Sequence, residues 1–167
     1  MAALPVLRLP HPVLKRVTKP VASIGREERR LADDLLETMA ASPACVGLAA
    51  NQVGFDVRAF CVDVTGHKKA DSCHGAFVLF NPVVVASAHP VAAREGCMSV
   101  PDLTGNVSRA SEVVVRGLAP DGRERVIEAD AFEARAILHE IDHLDGLLFL
   151  DRVDSFATDV FRRRRYR

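Results

Sequence analysis

Residues 131–144 read Ala131-Phe132-Glu133-Ala134-Arg135-Ala136-Ile137-Leu138-His139-Glu140-Ile141-Asp142-His143-Leu144. Ala131, Ala134 and Ala136 favour helix, and Gly146 is a natural stop. Ile137, Leu138, Ile141 and Leu144 predict that the helix is buried. His139 and His143 stand four apart, so a helix places both imidazoles on one face about one turn apart. Two imidazoles so placed can bind one metal ion, and Glu140 between them can take a proton from water held there. Chance also generates this five-residue pattern, but buried imidazoles need partners. A metal ion satisfies both.

Such an ion needs a third protein ligand. The metzincin pattern puts a third His at position 149, which is Phe149 here, and no Glu follows Glu140. The third ligand therefore comes from upstream or is an Asp. Upstream lies Glu95-Gly96-Cys97-Met98-Ser99-Val100-Pro101, where Cys97 is placed to be a thiolate ligand. Read alone, it fits a small buried hydrophobe equally. A third segment, Cys45-Val46-Gly47-Leu48-Ala49-Ala50-Asn51-Gln52, suits a tight strand beside a pocket, or a packed turn with Gln52 exposed.

Around these segments the pattern alternates between helix and strand. Residues 4–22 read as an extended arm. Arg26 to Ser42 reads as a helix, with Leu31, Leu35 and Met39 four apart and Ala32 and Leu36 widening the stripe; Pro43 ends it. Val57 to Val64 reads as a strand, and Thr65 to Gly75 as an exposed loop holding His67, Cys73 and His74. Ala76 to Phe80 and Val83 to Val85 read as short strands parted by Asn81-Pro82. Glu112 to Leu118 and Arg123 to Glu128 flank the turn Ala119-Pro120-Asp121-Gly122, predicting a hairpin. The order predicts an α+β fold, with antiparallel strands packed around a central, late helix that carries HExxH.

Composition sets bounds. The 167 residues fit one domain spanning 1–167, long enough to bury about 70% of the unfolded surface. Apolar residues at 49% and a formal net charge of zero give no global reason to expect disorder, nucleic acid or membrane binding. No apolar run approaches the roughly 18 residues of a membrane span, and the start lacks a signal-peptide pattern. A cytoplasmic location is expected, with the four cysteines as thiols or metal ligands.

Together, Gly47 to Gln52, Glu95 to Ser99 and His139 to His143 resemble, in order and separation, the GLAAxQ, EGCxS and QHExDH segments of the peptide deformylase family. The resemblance covers nearly the whole chain. Two positions depart from it: Cys45 stands where Gly is usual and Leu138 where Gln is usual, which removes a possible hydrogen bond behind the metal site. The resemblance implies that Cys97, His139 and His143 bind one divalent ion. Ferrous iron is the family's usual metal, with zinc, nickel or cobalt as substitutes. Glu140 would move protons, and Gln52 with the backbone N–H of Met98 would stabilise an oxyanion. The implied substrate is the N-formylmethionyl end of a nascent peptide, and the implied product is formate. A rival enzyme reading is a small HExxH peptidase, which has no need of Cys97; another is a non-catalytic binder of formylated peptides. The basic tail Arg162–Arg167 reads as a solvated end or as a contact with ribosomal RNA. Cys45 at the rim is expected to be oxidisable alongside Cys97.

Overall fold

The computed structural model describes residues 3–164. Its helices are α1 (Arg26–Ala41), α2 (Ala131–Leu144) and the single turn α3 (Phe156–Asp159). Its strands are β1 (Gly47–Ala49), β2 (Ala59–Val62), β3 (Phe77–Cys97), β4 (Val100–Leu118), β5 (Glu124–Asp130) and β6 (Val160–Arg162). All pair antiparallel in the order β1-β2-β3-β4-β5, with β6 added to β4. The expected α+β architecture is therefore present, and α2 lies at its centre.

The centre is apolar for the reason the sequence suggested. Ala134, Ile137, Ile141 and Leu144 of α2 join Phe60 and Val62 of β2, Leu79 of β3, Val113 and Val115 of β4, and Ile127 of β5 in one core. A second core packs Leu31, Ala32, Leu35 and Met39 of α1 against Leu48, Cys61, Val78 and Phe80. Burying each of the larger side chains stabilises the fold by roughly 1.5–3 kcal/mol.

The end of α2 is fixed tightly. Leu147 N–H donates to Asp142 C=O at 2.9 Å and Gly146 N–H to His143 C=O at 3.0 Å, with Gly146 at φ 73°. This is a Schellman cap, and its left-handed residue favours glycine. A Cβ on Gly146 would also meet Lys15 O at 2.8 Å. The remaining carbonyls find donors: Asn51 Nδ2 reaches His143 O at 2.6 Å, and Thr18 N and Oγ1 each reach Leu144 O at 2.9 Å. The N-terminal arm, through Thr18, and the 3-10 turn Ala50–Val53 that follows β1, through Asn51, thus clamp its C-terminus.

Several boundaries differ from the sequence reading. Asn81-Pro82 does not separate two strands. A register shift between Phe80 and Val83 absorbs it, and β3 continues to Cys97. Asn81 adopts φ 50° and bonds Val21 through both side-chain atoms, at 2.8 and 2.9 Å. The arm is not wholly extended: Pro12–Lys15 forms a 3-10 turn and Lys19 bridges Val57. The strand within Val57 to Val64 is only Ala59–Val62. The Ala119–Gly122 turn and the β4–β5 hairpin stand as predicted. Among the described residues no helix is long and apolar enough to cross a membrane.

Candidate metal centre

Three elements bring the donors together. His139 and His143 lie one turn apart on α2, with ring centroids 5.0 Å apart. Cys97 is the last residue of β3, where the strand turns into β4, and its Sγ lies 3.2 Å from His143 Nε2. The ligand atoms of Cys97, His139 and His143 all lie within 4.8 Å of one another, and all three are buried. No other such cluster of His, Cys, Asp or Glu occurs among the described residues. Phe149, at the position a metzincin would give to histidine, is buried and stacks on His139 at 6.5 Å between centroids.

The donor set fits a divalent cation. His139 Nδ1 faces Glu95 Oε1 at 2.8 Å, so its Nε2 is left for an ion. Burial opposes a charged thiolate at Cys97. His143 and His139 outweigh it and hold the thiol well below its usual range. A thiolate and two imidazoles make three protein ligands, the number that a catalytic rather than a structural site uses.

Glu140 stands beside the donors. Its carboxylate is buried, Oε2 has no hydrogen-bond partner among the described residues, and Oε1 lies over Gly47. A Cβ at position 47 would come within 2.7 Å of Oε1, so only glycine leaves the carboxylate its place. Burial pushes the Glu140 carboxyl up to about 7; the charges of His139 and His143 pull it down, and Cys97 adds to the rise. Such a value suits proton transfer near neutral pH.

Gln52 is buried, not exposed. Its Oε1 accepts from Ala49 N–H at 2.9 Å, and its Nε2 donates to Ser99 Oγ at 3.0 Å and faces Cys97 Sγ at 3.6 Å. Ser99 in turn donates to Leu7 O at 2.7 Å. The side-chain amide is thereby fixed with its donor end toward the site. Met98 follows Cys97 at the β3–β4 turn.

Behind the donors lies a charge network that the sequence reading did not assign. Arg109 grips Glu95 with Nε at 2.6 Å and Nη2 at 3.0 Å, and reaches Asp142 Oδ2 with Nη1 at 2.8 Å. Arg135 Nη1 adds a bond to Glu95 at 2.7 Å, and Arg152 grips Asp142 at 2.9 and 3.0 Å. Burial would raise the Glu95 carboxyl, but bonds from His139 and Arg109 hold it down at about 2. The available signal was Glu95 beside Cys97 together with the need of buried imidazoles for partners. Leu138 is not in this network; it packs on the main core, and Glu95 orients His139 instead.

The remaining candidates fall elsewhere. His67 stacks on Phe132 at 3.8 Å between centroids, and His74 bonds Glu133 at 2.6 Å, so the Thr65–Gly75 loop is tied to the start of α2. Cys73 is exposed. Cys45 is half-buried and bonds Gly47 O at 3.1 Å. Burial, with Glu140 adding to it, pushes its thiol up to about 12, which makes it a poor nucleophile. All four cysteines are free of disulfides.

An antiparallel α+β shell around a helix that offers two imidazoles and a carboxylate, closed by a cysteine from a strand end, defines the metal-dependent hydrolase class. Residues 3–159 match the family model described as polypeptide deformylase. The peptide deformylase of Syntrophobacter fumaroxidans is 42% identical over 164 residues, 98% of this chain and 94% of that protein. That of Halothermothrix orenii is 43% identical over 160 residues, 96% and 99% respectively. The crystal structure of the Ehrlichia chaffeensis peptide deformylase in complex with actinonin superposes with a TM-score of 0.87 at 33% identity, covering 94% of this chain and 92% of that one. The chain belongs to the peptide deformylase family. It is a metal-dependent hydrolase that removes the N-formyl group from the formylmethionine end of newly made polypeptides.

Proposed function

We propose that Cys97, His139 and His143 hold one divalent cation, that Glu140 moves the proton, and that Gln52 and the Met98 N–H stabilise the developing oxyanion. When bound, the cation supplies Lewis-acid polarisation of the formyl carbonyl and makes water a better nucleophile. The observation that carries this reading is the convergence of three donor atoms within 4.8 Å beside one buried carboxylate that has an unpartnered oxygen. Ferrous iron is the proposed ion. The thiolate and imidazole donors suit it, and they suit zinc, nickel and cobalt as substitutes.

Glu140 takes a proton from the attacking water and delivers it to the leaving nitrogen as the C–N bond breaks. Formate and a free amine result. Gln52 Nε2 and the Met98 N–H work most in the transition state, where charge gathers on oxygen. Glu95 holds the tautomer and ring orientation of His139, and Arg109 and Arg135 keep Glu95 ionised. Residues 1–167 act in this reading as one catalytic unit in the cytoplasm. Arg162 and Arg164 are exposed and available to ribosomal RNA; Arg165, Tyr166 and Arg167 of the basic tail lie outside the described residues.

Glu140→Ala tests the assignment. The variant should keep one ion per chain and its fold, and lose activity on a formyl-Met peptide by about 100-fold or more. A comparable kcat would remove Glu140 from proton transfer.

A further inference from the structure

The basic tail reads as a solvated end or an RNA contact, yet one of its arginines points inward. β6 pairs with β4 at Leu103, Thr104 and Gly105, and Arg163 N–H extends the pairing to Asp102 O at 2.9 Å. Phe161 anchors the strand: the Arg94 guanidinium lies over its ring at 3.6 Å. Arg163 then turns toward the end of β3. Its Nη2 donates to Cys97 O at 3.4 Å. Its guanidinium fills the space beside Gly96, where even a methyl group would overlap it. Nε is buried without a partner among the described residues, so no competing acceptor draws that atom away.

The atom that Arg163 touches is significant. Cys97 C=O and Met98 N–H belong to one peptide group, and in a trans peptide they point in opposite directions. A cation hydrogen-bonded to the carbonyl polarises the whole unit and strengthens the N–H as a donor. It also fixes the direction in which that N–H points.

We propose that Arg163 is a positioning residue for deformylation, acting through the Cys97–Met98 peptide to orient and polarise the Met98 N–H. The inference rests on the reading of that N–H as an oxyanion donor. It makes docking of the C-terminal strand part of assembling the active site, with Gly96 small so that the guanidinium can reach the peptide.

The test compares Arg163→Gln, Arg163→Ala, Arg162→Gln and Gln52→Leu in the metal-loaded full chain on a short formyl-Met peptide. Arg163→Gln should lower kcat about tenfold, the size typical of a lost outer-shell partner. KM should change less than about twofold, because the effect belongs to the transition state. Metal stoichiometry and melting temperature should be retained, and Arg162→Gln should behave as wild type. Millimolar guanidinium should restore part of the lost kcat to Arg163→Ala and none to Gln52→Leu. Where removal of the arginine prevents folding, Gly96→Ala keeps Arg163 and fills its place, and the same loss of kcat is expected. An unchanged kcat in the folded variants overturns the proposal, as does a loss that only follows loss of metal or of folded protein. If Gln52→Leu lowers kcat while Arg163→Gln does not, this inference alone fails. If Gln52→Leu raises only KM, the oxyanion reading beneath it fails.

Discussion

At Gln52, one side chain holds the scaffold with its carbonyl end and faces the proposed site with its amide end. The carbonyl end is held by Ala49 N–H, and the amide end is steered by Ser99 toward Cys97. A donor fixed in this way costs little reorganisation when charge develops. Gln52→Leu should therefore lower kcat far more than it raises KM. Steady-state kinetics on a formyl-Met peptide check this, and a rise in KM alone would make Gln52 a substrate-positioning residue. The residue scale also shows what the sequence could and could not carry. The spacing of His139 and His143 located two donors with no further help. Cys97 and Gln52 were ambiguous by themselves, because a buried Cys or a Gln beside glycine has ordinary packing roles; only the order of three motifs singled them out. The environment of Cys45 was not legible at all. Its burial beside Glu140 depends on how β1 meets α2, and that burial keeps the thiol protonated, against the expectation of an oxidisable rim.

The β3–β4 hairpin does most of the positioning among the elements. Register pairs Glu95 with Gly105 and sets Arg109 four residues further along β4, so that one guanidinium spans Glu95 and Asp142. Such a network follows from register over long strands, which local pattern did not reveal. The sequence showed the strands only as fragments, because residues 86–92 are exposed and carry no clean alternation of polar and apolar types. By contrast α2 was legible end to end, since helix formers, an apolar stripe and a capping glycine all agree there. The network makes a pH prediction. Glu95 sits at about 2 rather than 4.5, so its ionised form contributes stability in full above about pH 4.5. That contribution is lost as the pH falls toward 2. Glu95→Gln should flatten the fall in melting temperature between pH 4.5 and 2 relative to wild type. Parallel curves for the two proteins would show that Glu95 is not the titrating group.

At the scale of the whole molecule, the main core and the N-terminal arm hold α2 against β2, β3, β4 and β5. In the proposed site a thiolate and a divalent ion would lie side by side among buried groups. With ferrous iron both are oxidisable, whereas nickel and zinc offer a far less reactive pair. Enzyme loaded with iron should lose activity in air faster than the nickel or zinc forms, and mass analysis should find the added oxygen on Cys97 rather than Cys45. Equal lifetimes for the iron and nickel forms would favour a redox-silent working metal. The central claim remains the ligand set, and the metal content of Cys97→Ala tests it most directly. Wild-type protein loaded under anaerobic conditions should hold one divalent ion per chain. Cys97→Ala, folded as judged by its far-UV circular dichroism, should hold almost none after dialysis. One ion per chain in Cys97→Ala, bound with wild-type affinity, would contradict the account.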